Sequence, residues 1–214
     1  MQRFRNKIVK YLDFHRTFSK LGCFDVNQVR MVQPDFDRTA LTRWVSNGYV
    51  VQLKNGIYAF KEWLSQPGAD MIAANLMYRP SYISLYSALA HHGMIPEFVA
   101  HTTSVSTLKT TSFNNVIGTF DYRHIKAELF WGYQLIDCTF PRKILMALPE
   151  KAILDLLYLS PNLKSEHDVF QLRLDEDFMA EDFDFDRAHQ FLDRFSSKAL
   201  NRSFALLQKI YNND

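Results

Sequence analysis

Residues 37–60 read DRTALTRWVSNGYVVQLKNGIYAF, and this stretch decides the fold. In its first half Ala40, Leu41, Trp44 and Val45 share one side of a 3.6-residue period, which predicts a helix packing that side inward. Asp37 is placed to cap its start, and Gly48 to end it as the left-handed residue past the last turn. The second half is two β-prone runs around Asn55-Gly56, the pair favoured in a type I′ hairpin turn. A two-residue loop pairs Lys54 with Ile57, Leu53 with Tyr58, Gln52 with Ala59 and Val51 with Phe60. Val51, Leu53, Tyr58 and Phe60 then share one face, and Gln52 and Lys54 the other.

Upstream, Phe4, Ile8, Tyr11, Leu12, His15 and Phe18 form one helical stripe, predicting a helix over about residues 3–20 that Gly22 ends. Asp25 suits the N-cap of a second helix carrying Val26, Val29 and Val32, and Pro34 stops it. Three helices followed by a two-stranded wing is the order of a winged helix-turn-helix. With Ala40, Leu41, Trp44 and Val45 turned inward, the third helix presents Arg38, Thr39, Thr42, Arg43 and Ser46 outward. A helix fits the DNA major groove, where Arg bonds guanine bidentately and Thr reaches bases or phosphates. The wing would bring Lys54 and Asn55 to the backbone or minor groove. Asp37 would oppose the duplex unless capping consumes it.

Ser65-Gln66-Pro67-Gly68 reads as a linker. Beyond it the pattern predicts helices over about 69–78 and 84–92. VSTL, GTFDYRHI and ELFWGYQLI follow as strands of an antiparallel sheet, then a run at Ile144–Ala147. Pro149 opens a helix whose apolar side carries Ile153, Leu154, Leu157 and Tyr158. Glu150, Lys151 and Asp155 begin it; the carboxylates suit the helix dipole, and none of the three reads as a catalyst. The tail predicts two amphipathic helices, striped by Phe185, Ala188, Leu192 and Phe195, then by Leu200, Phe204, Leu207 and Tyr211.

The expected architecture is therefore α+β. Residues 1–64 form a winged helix-turn-helix. Residues 67–214 form a mixed α/β domain with a small antiparallel sheet and C-terminal helices, its last part (162–214) an acidic helical tail. The 214 residues, 47% hydrophobic with 18 Phe and 10 Tyr, exclude a disordered chain. Residues 1–66 hold eleven Lys and Arg against five acids, the middle third balances, and residues 162–214 carry four excess negative charges. A basic front predicts an anionic partner there. The acidic stretch from Glu166 to Asp186 reads as a solvated connection, or as a surface for a basic partner. The start, MQRFRNKIVKYLDF, lacks an apolar signal core, and Pro80–Pro96 is too polar for a membrane span. Cys23 and Cys138 form no CxxC. These features predict a cytoplasmic protein with no membrane association.

LTRWVSNGYVVQLKNGIYAF resembles the helix and wing of the AbiEi antitoxin family of bacterial toxin–antitoxin systems. PSYISLYSALAHHGMIPE, TSVST, IGTFDYRHIK and ALPEKAILDLLYL resemble successive blocks of the same family, so the likeness runs over about residues 38–160. It implies a modular antitoxin without a cofactor. A winged domain represses its own operon at inverted repeats, bound as a homodimer, and a second domain counters a nucleotidyltransferase toxin. The acidic, Phe-rich tail has no counterpart in the resemblance. A free-standing regulator without a toxin neighbour is compatible with it.

No enzyme constellation stands out. The seven glycines are well separated, excluding phosphate-cradling Gly-rich loops. GxSxG and HExxH are absent. No Lys has an acid two residues before it, which counts against a common metal-nuclease pattern. Asp182, Asp184 and Asp186 alternate, but no Gly-Ser precedes them as a nucleotidyltransferase would need. His91 and His92 are adjacent and point apart on a helix, so they make no metal pair. The expectation is a DNA-binding regulator and not an enzyme. The alternatives are a winged-helix adaptor that binds only protein, and a divergent nuclease in residues 67–161.

Overall fold

The computed structural model describes residues 10–97, 99–138 and 141–212. Phe4 and Ile8 of the first stripe, and the basic Arg3, Arg5 and Lys7, lie outside them. The first helix, α1 (Tyr11–Phe18), runs into a 3-10 turn at Ser19–Leu21. Its inner face is set by Phe14, fully buried, and Phe18, while Leu12 is 68% exposed. The helix is thus rotated from the expected stripe. Phe14 is the reason: its ring lies 4.7 Å from those of Phe18 and Trp44 and 5.4 Å from those of Phe24 and Phe36. Such aromatic pairs add roughly 0.5–1.5 kcal/mol each beyond the apolar area they bury.

Gly22 then turns the chain at φ +66°, under the Trp63 indole. A short strand, β1 (Cys23–Asp25), leads into α2 (Val26–Val32). Asp25 caps α2 as expected, and does so in a full capping box. Its carboxylate accepts from Asn27 N, and the Gln28 side chain accepts from Asp25 N. Val26 and Val29 are buried, but Val32 is 62% exposed. After α3 (Thr39–Ser46) come β2 (Val50–Lys54) and β3 (Ile57–Phe60). The three strands form an antiparallel sheet in the order β1-β3-β2. This helix and strand order is compatible with a winged helix.

The hairpin keeps the expected Lys54–Ile57 pair but departs from the expected register beyond it. Val50 faces Phe60, Val51 faces Ala59 and Gln52 faces Tyr58, and the ladder shifts between Gln52 and Lys54. Of the two turn residues only Gly56 takes a positive φ, +81°, so the turn is not type I′. The loop is still the two residues Asn55 and Gly56, with the positive φ confined to the second, and the extra residue, Leu53, is a bulge inside β2. Alternation could not decide between the two registers, because all four β3 residues are buried. The turn is pinned from behind, where Val26 N donates to the Gly56 carbonyl (2.9 Å).

The rest of the chain is built on α4 (Ala69–Met77), β4 (Ser81–Ile83), α5 (Leu85–His91), β5 (His101–Ser106), β6 (Thr111–Asn114) and β7 (Thr119–His124). Then follow β8 (Tyr133–Ile136), β9 (Ile144–Ala147) and α6 (Pro149–Leu159). ELFWGYQLI is a strand only in its second part; Ala127–Leu129 is a 3-10 turn. The six strands run β6-β7-β5-β4-β9-β8. Three neighbouring pairs are antiparallel as expected, but β5–β7 and β4–β9 are parallel. Parallel neighbours arise where the connection crosses over instead of closing a tight turn. On one face Tyr122 donates its hydroxyl to the Ala74 carbonyl of α4 (2.8 Å), while α5 packs on β5 and α6.

The tail contains more helix than expected. α7 (Glu166–Phe170) and α8 (Glu176–Glu181) occupy the acidic connection. Ser165 and Asp175 cap them, and Asp184 caps α9 (Phe185–Phe195). α10 (Lys198–Tyr211) buries Leu200, Phe204 and Leu207, on the expected stripe.

Beneath α9 lies a charged network at the start of α6. Glu150, Lys151 and Asp155 are all buried. Lys151 Nζ donates to Asp155 Oδ1 and to Tyr82 Oη (2.8 Å). Tyr82 and Ser84 donate to Asp155 Oδ2 at 2.9 and 2.8 Å. The ammonium also faces the rings of Trp131 and Phe195, 5.0 Å from each centroid. Burial pushes the Asp155 carboxyl up and the Lys151 ammonium down from their ordinary ranges, and their mutual attraction opposes both shifts.

Candidate nucleic-acid interface

The α3 flank is open. Ala40, Leu41 and Trp44 are buried, and Arg38, Thr39, Thr42, Arg43 and Ser46 are exposed. Val45, expected inward, is 37% exposed because it sits at the margin of the buried stripe. The C-terminal end is closed by Gly48 at φ +72°, with Gly48 N bonding the Val45 carbonyl and Tyr49 N the Trp44 carbonyl. Tyr49 in turn stacks on Tyr11 of α1 at 4.5 Å.

At the N-terminal end Asp37 is consumed by local bonds. Its carboxylate accepts from Thr39 N (2.9 Å) and from the Thr39 hydroxyl. These bonds, the hydroxyl first, hold the Asp37 carboxyl below the usual carboxylate range, and the Arg43 charge adds to the effect. Ser46 is likewise turned inward to its own helix, donating to the Thr42 carbonyl (3.1 Å). Arg43 is exposed and enters no side-chain hydrogen bond among the described residues. Arg38 and Asn55 are joined: Arg38 Nη2 donates to Asn55 Oδ1 at 2.8 Å. The start of the helix and the tip of the hairpin therefore form one polar surface.

Lys54 does not belong to that surface. Its Nζ donates to the Met77 carbonyl (3.0 Å), at the end of α4, and faces the Phe113 and Tyr78 rings at 4.3 and 5.0 Å. A cation at a helix C-terminus is favoured by the helix dipole. Burial lowers the Lys54 pKa from its ordinary value. The local bulge accounts for this, because it re-aims side chains at the end of β2. Asn115 strengthens the same junction, donating from Nδ2 to the Leu53 carbonyl (3.2 Å).

No protein-family model and no curated protein matches the chain.

Among the described residues no group of His, Cys, Asp and Glu could hold a metal ion, and no helix is long and apolar enough to cross a membrane. The surface thus offers two guanidiniums, a Thr hydroxyl and a carboxamide within one helix face and one loop tip. The Arg38–Asn55 bond was not expected from sequence. Its only signal is that both residues belong to the predicted outward face.

Proposed function

We propose that the chain is a DNA-binding regulator that reads duplex DNA through the exposed flank of α3. The observation that carries this reading is the open polar flank itself, with Arg38 tied to Asn55 and Arg43 left free to bond. Arg43 and Thr42 would meet base edges or phosphates in the major groove, and Arg38 with Asn55 would meet the backbone beside it. The basic excess of the N-terminal third supports an anionic partner. Lys54 is withdrawn from the proposed contact set, because its ammonium is engaged by Met77.

The resemblance to the AbiEi antitoxins extends the proposal: repression of the chain's own operon as a dimer on inverted repeats, and neutralisation of a nucleotidyltransferase toxin. The deciding experiment is a fluorescence-anisotropy titration of DNA from upstream of the coding sequence. Specific binding that weakens steeply between about 50 and 200 mM salt is expected, because phosphate contacts release counterions. Indifference to sequence and salt would refute DNA reading. Growth rescue on co-expression with a neighbouring nucleotidyltransferase tests the antitoxin part.

A further inference from the structure

A pocket of about 530 Å³ lies between α4 and the β8–β9 hairpin, away from the α3 flank in sequence. Its volume falls within the roughly 300–1,000 Å³ range of small-molecule sites. Arg79, Arg142 and Lys143 line it, and no carboxylate does. Lys143 is paired with the exposed Asp137 at 3.1 Å. The two guanidiniums have only neutral partners: Arg79 Nε donates to the Asn75 carbonyl (3.2 Å) and Arg142 Nη2 to Gln28 Oε1 (3.1 Å). Neither has a carboxylate partner among the described residues. Burial, and beside it the charge of Arg79, lower the Arg142 pKa from its ordinary value.

Two buried polar atoms of lining residues have no hydrogen-bond partner among the described residues, Arg142 Nε and the hydroxyl of Ser81, which is 2% exposed. Unsatisfied buried groups of this kind are rare in folded proteins and point to a missing partner. Two like charges, a free hydroxyl and no acid call for an anion with several acceptor oxygens. The guanidinium fork matches phosphate geometry. Apart from Asn75, whose carboxamide is bonded to the Leu145 backbone, the remaining wall is apolar and aromatic: Tyr133 is 37% exposed, and its ring lies 5.4 Å from that of Phe130.

We propose that this pocket binds a nucleoside phosphate, its phosphate held by Arg79, Arg142 and Ser81 and its base laid against Tyr133. The proposal is independent of DNA reading by α3. Isothermal titration of the full chain with AMP, CMP and ribose 5-phosphate tests it. At least one nucleotide should bind about tenfold or more tighter than ribose 5-phosphate. Arg79→Gln should weaken that binding about tenfold with an unchanged melting temperature, since Arg79 is exposed. Arg142→Gln should weaken binding by a similar factor and also lower the melting temperature, because its guanidinium is half-buried and bonded to Gln28, and Arg79→Lys should retain part of the affinity. No nucleotide binding at millimolar concentration would overturn the proposal, as would equal binding of ribose 5-phosphate or full affinity in Arg79→Gln. Loss of duplex affinity in Arg79→Gln, with no nucleotide bound by the parent chain, would assign these cations to a DNA backbone and likewise overturn it.

Discussion

Arg38 and Asn55, 17 positions apart, are joined by a single hydrogen bond from guanidinium to carboxamide, 2.8 Å long. One closes the front of α3 and the other forms the tip of the β2–β3 hairpin. The bond sets the spacing of two groups that the chain would otherwise leave to move separately. Both are exposed, so its effect on stability is small. Its effect is on geometry, by holding a cation in place before any partner arrives.

Arg43 and Lys54 are predicted to behave in opposite ways. Arg43→Ala should weaken specific DNA binding by about 1–3 kcal/mol if the guanidinium reads a base, with little change in stability. Lys54→Ala should leave DNA affinity within about twofold and lower the melting temperature by roughly 2–4 °C, the equivalent of about 1 kcal/mol in a chain of this size. Anisotropy titrations and thermal unfolding of both variants check the pair.

The Lys151–Asp155 network should respond strongly to removal of one member. Asp155→Ala leaves an unpaired ammonium in an aromatic enclosure, and a loss of about 3–5 kcal/mol is expected. Replacing both, as Lys151→Met with Asp155→Leu, should recover part of that loss, because the unpaired ammonium is gone, while the Tyr82 and Ser84 hydroxyls still lose their acceptor. Urea unfolding of the single and double variants measures the difference.

Gly22→Ala should be among the most damaging small changes. A Cβ at Gly22 would lie 2.2 Å from the Trp63 indole nitrogen, on a backbone with φ +66°. Overpacking and left-handed strain together predict about 3 kcal/mol of destabilisation. The midpoint of a denaturant titration would register it.

Asp37 and Asp168 bear on acid stability. Both carboxyls lie below the ordinary value of 3.8, held chiefly by the hydroxyls of Thr39 and Ser165 respectively. A carboxyl depressed by folding stabilises the native state above its unfolded pKa, and the gain is lost as pH falls through the folded value. Stability should therefore decline below about pH 4. Asp168→Asn should flatten this limb while leaving stability above pH 5 less changed in slope. Melting curves across an acid series of buffers follow it.

Local chemistry was legible from residue types. Asp25 announces α2 because a cap needs only its own two following residues, and Asn55-Gly56 locates the hairpin tip. That dipeptide located the closing Lys54–Ile57 pair, but the bulge at Leu53 was not legible, because the second strand is buried throughout and its alternation carries no signal. The outward set Arg38, Thr39, Thr42, Arg43 and Ser46 followed from the position of Trp44 and Leu41 on the opposite side. The bond from Lys54 to the Met77 carbonyl was not legible, because that partner is supplied by another element. Lys151 and Asp155 stand at the i,i+4 spacing common on exposed helices, and nothing in that spacing tells that Tyr82, Trp131 and Phe195 close over them.

Lys54 and Asn55 are neighbours that pull in opposite directions, one anchored to the last turn of α4 and the other holding Arg38. The hairpin tip is therefore tied to the end of α4 by a contact that bypasses the 65–68 segment. The front of α3 and the last turn of α4 are thus linked in series through Arg38–Asn55 and Lys54–Met77.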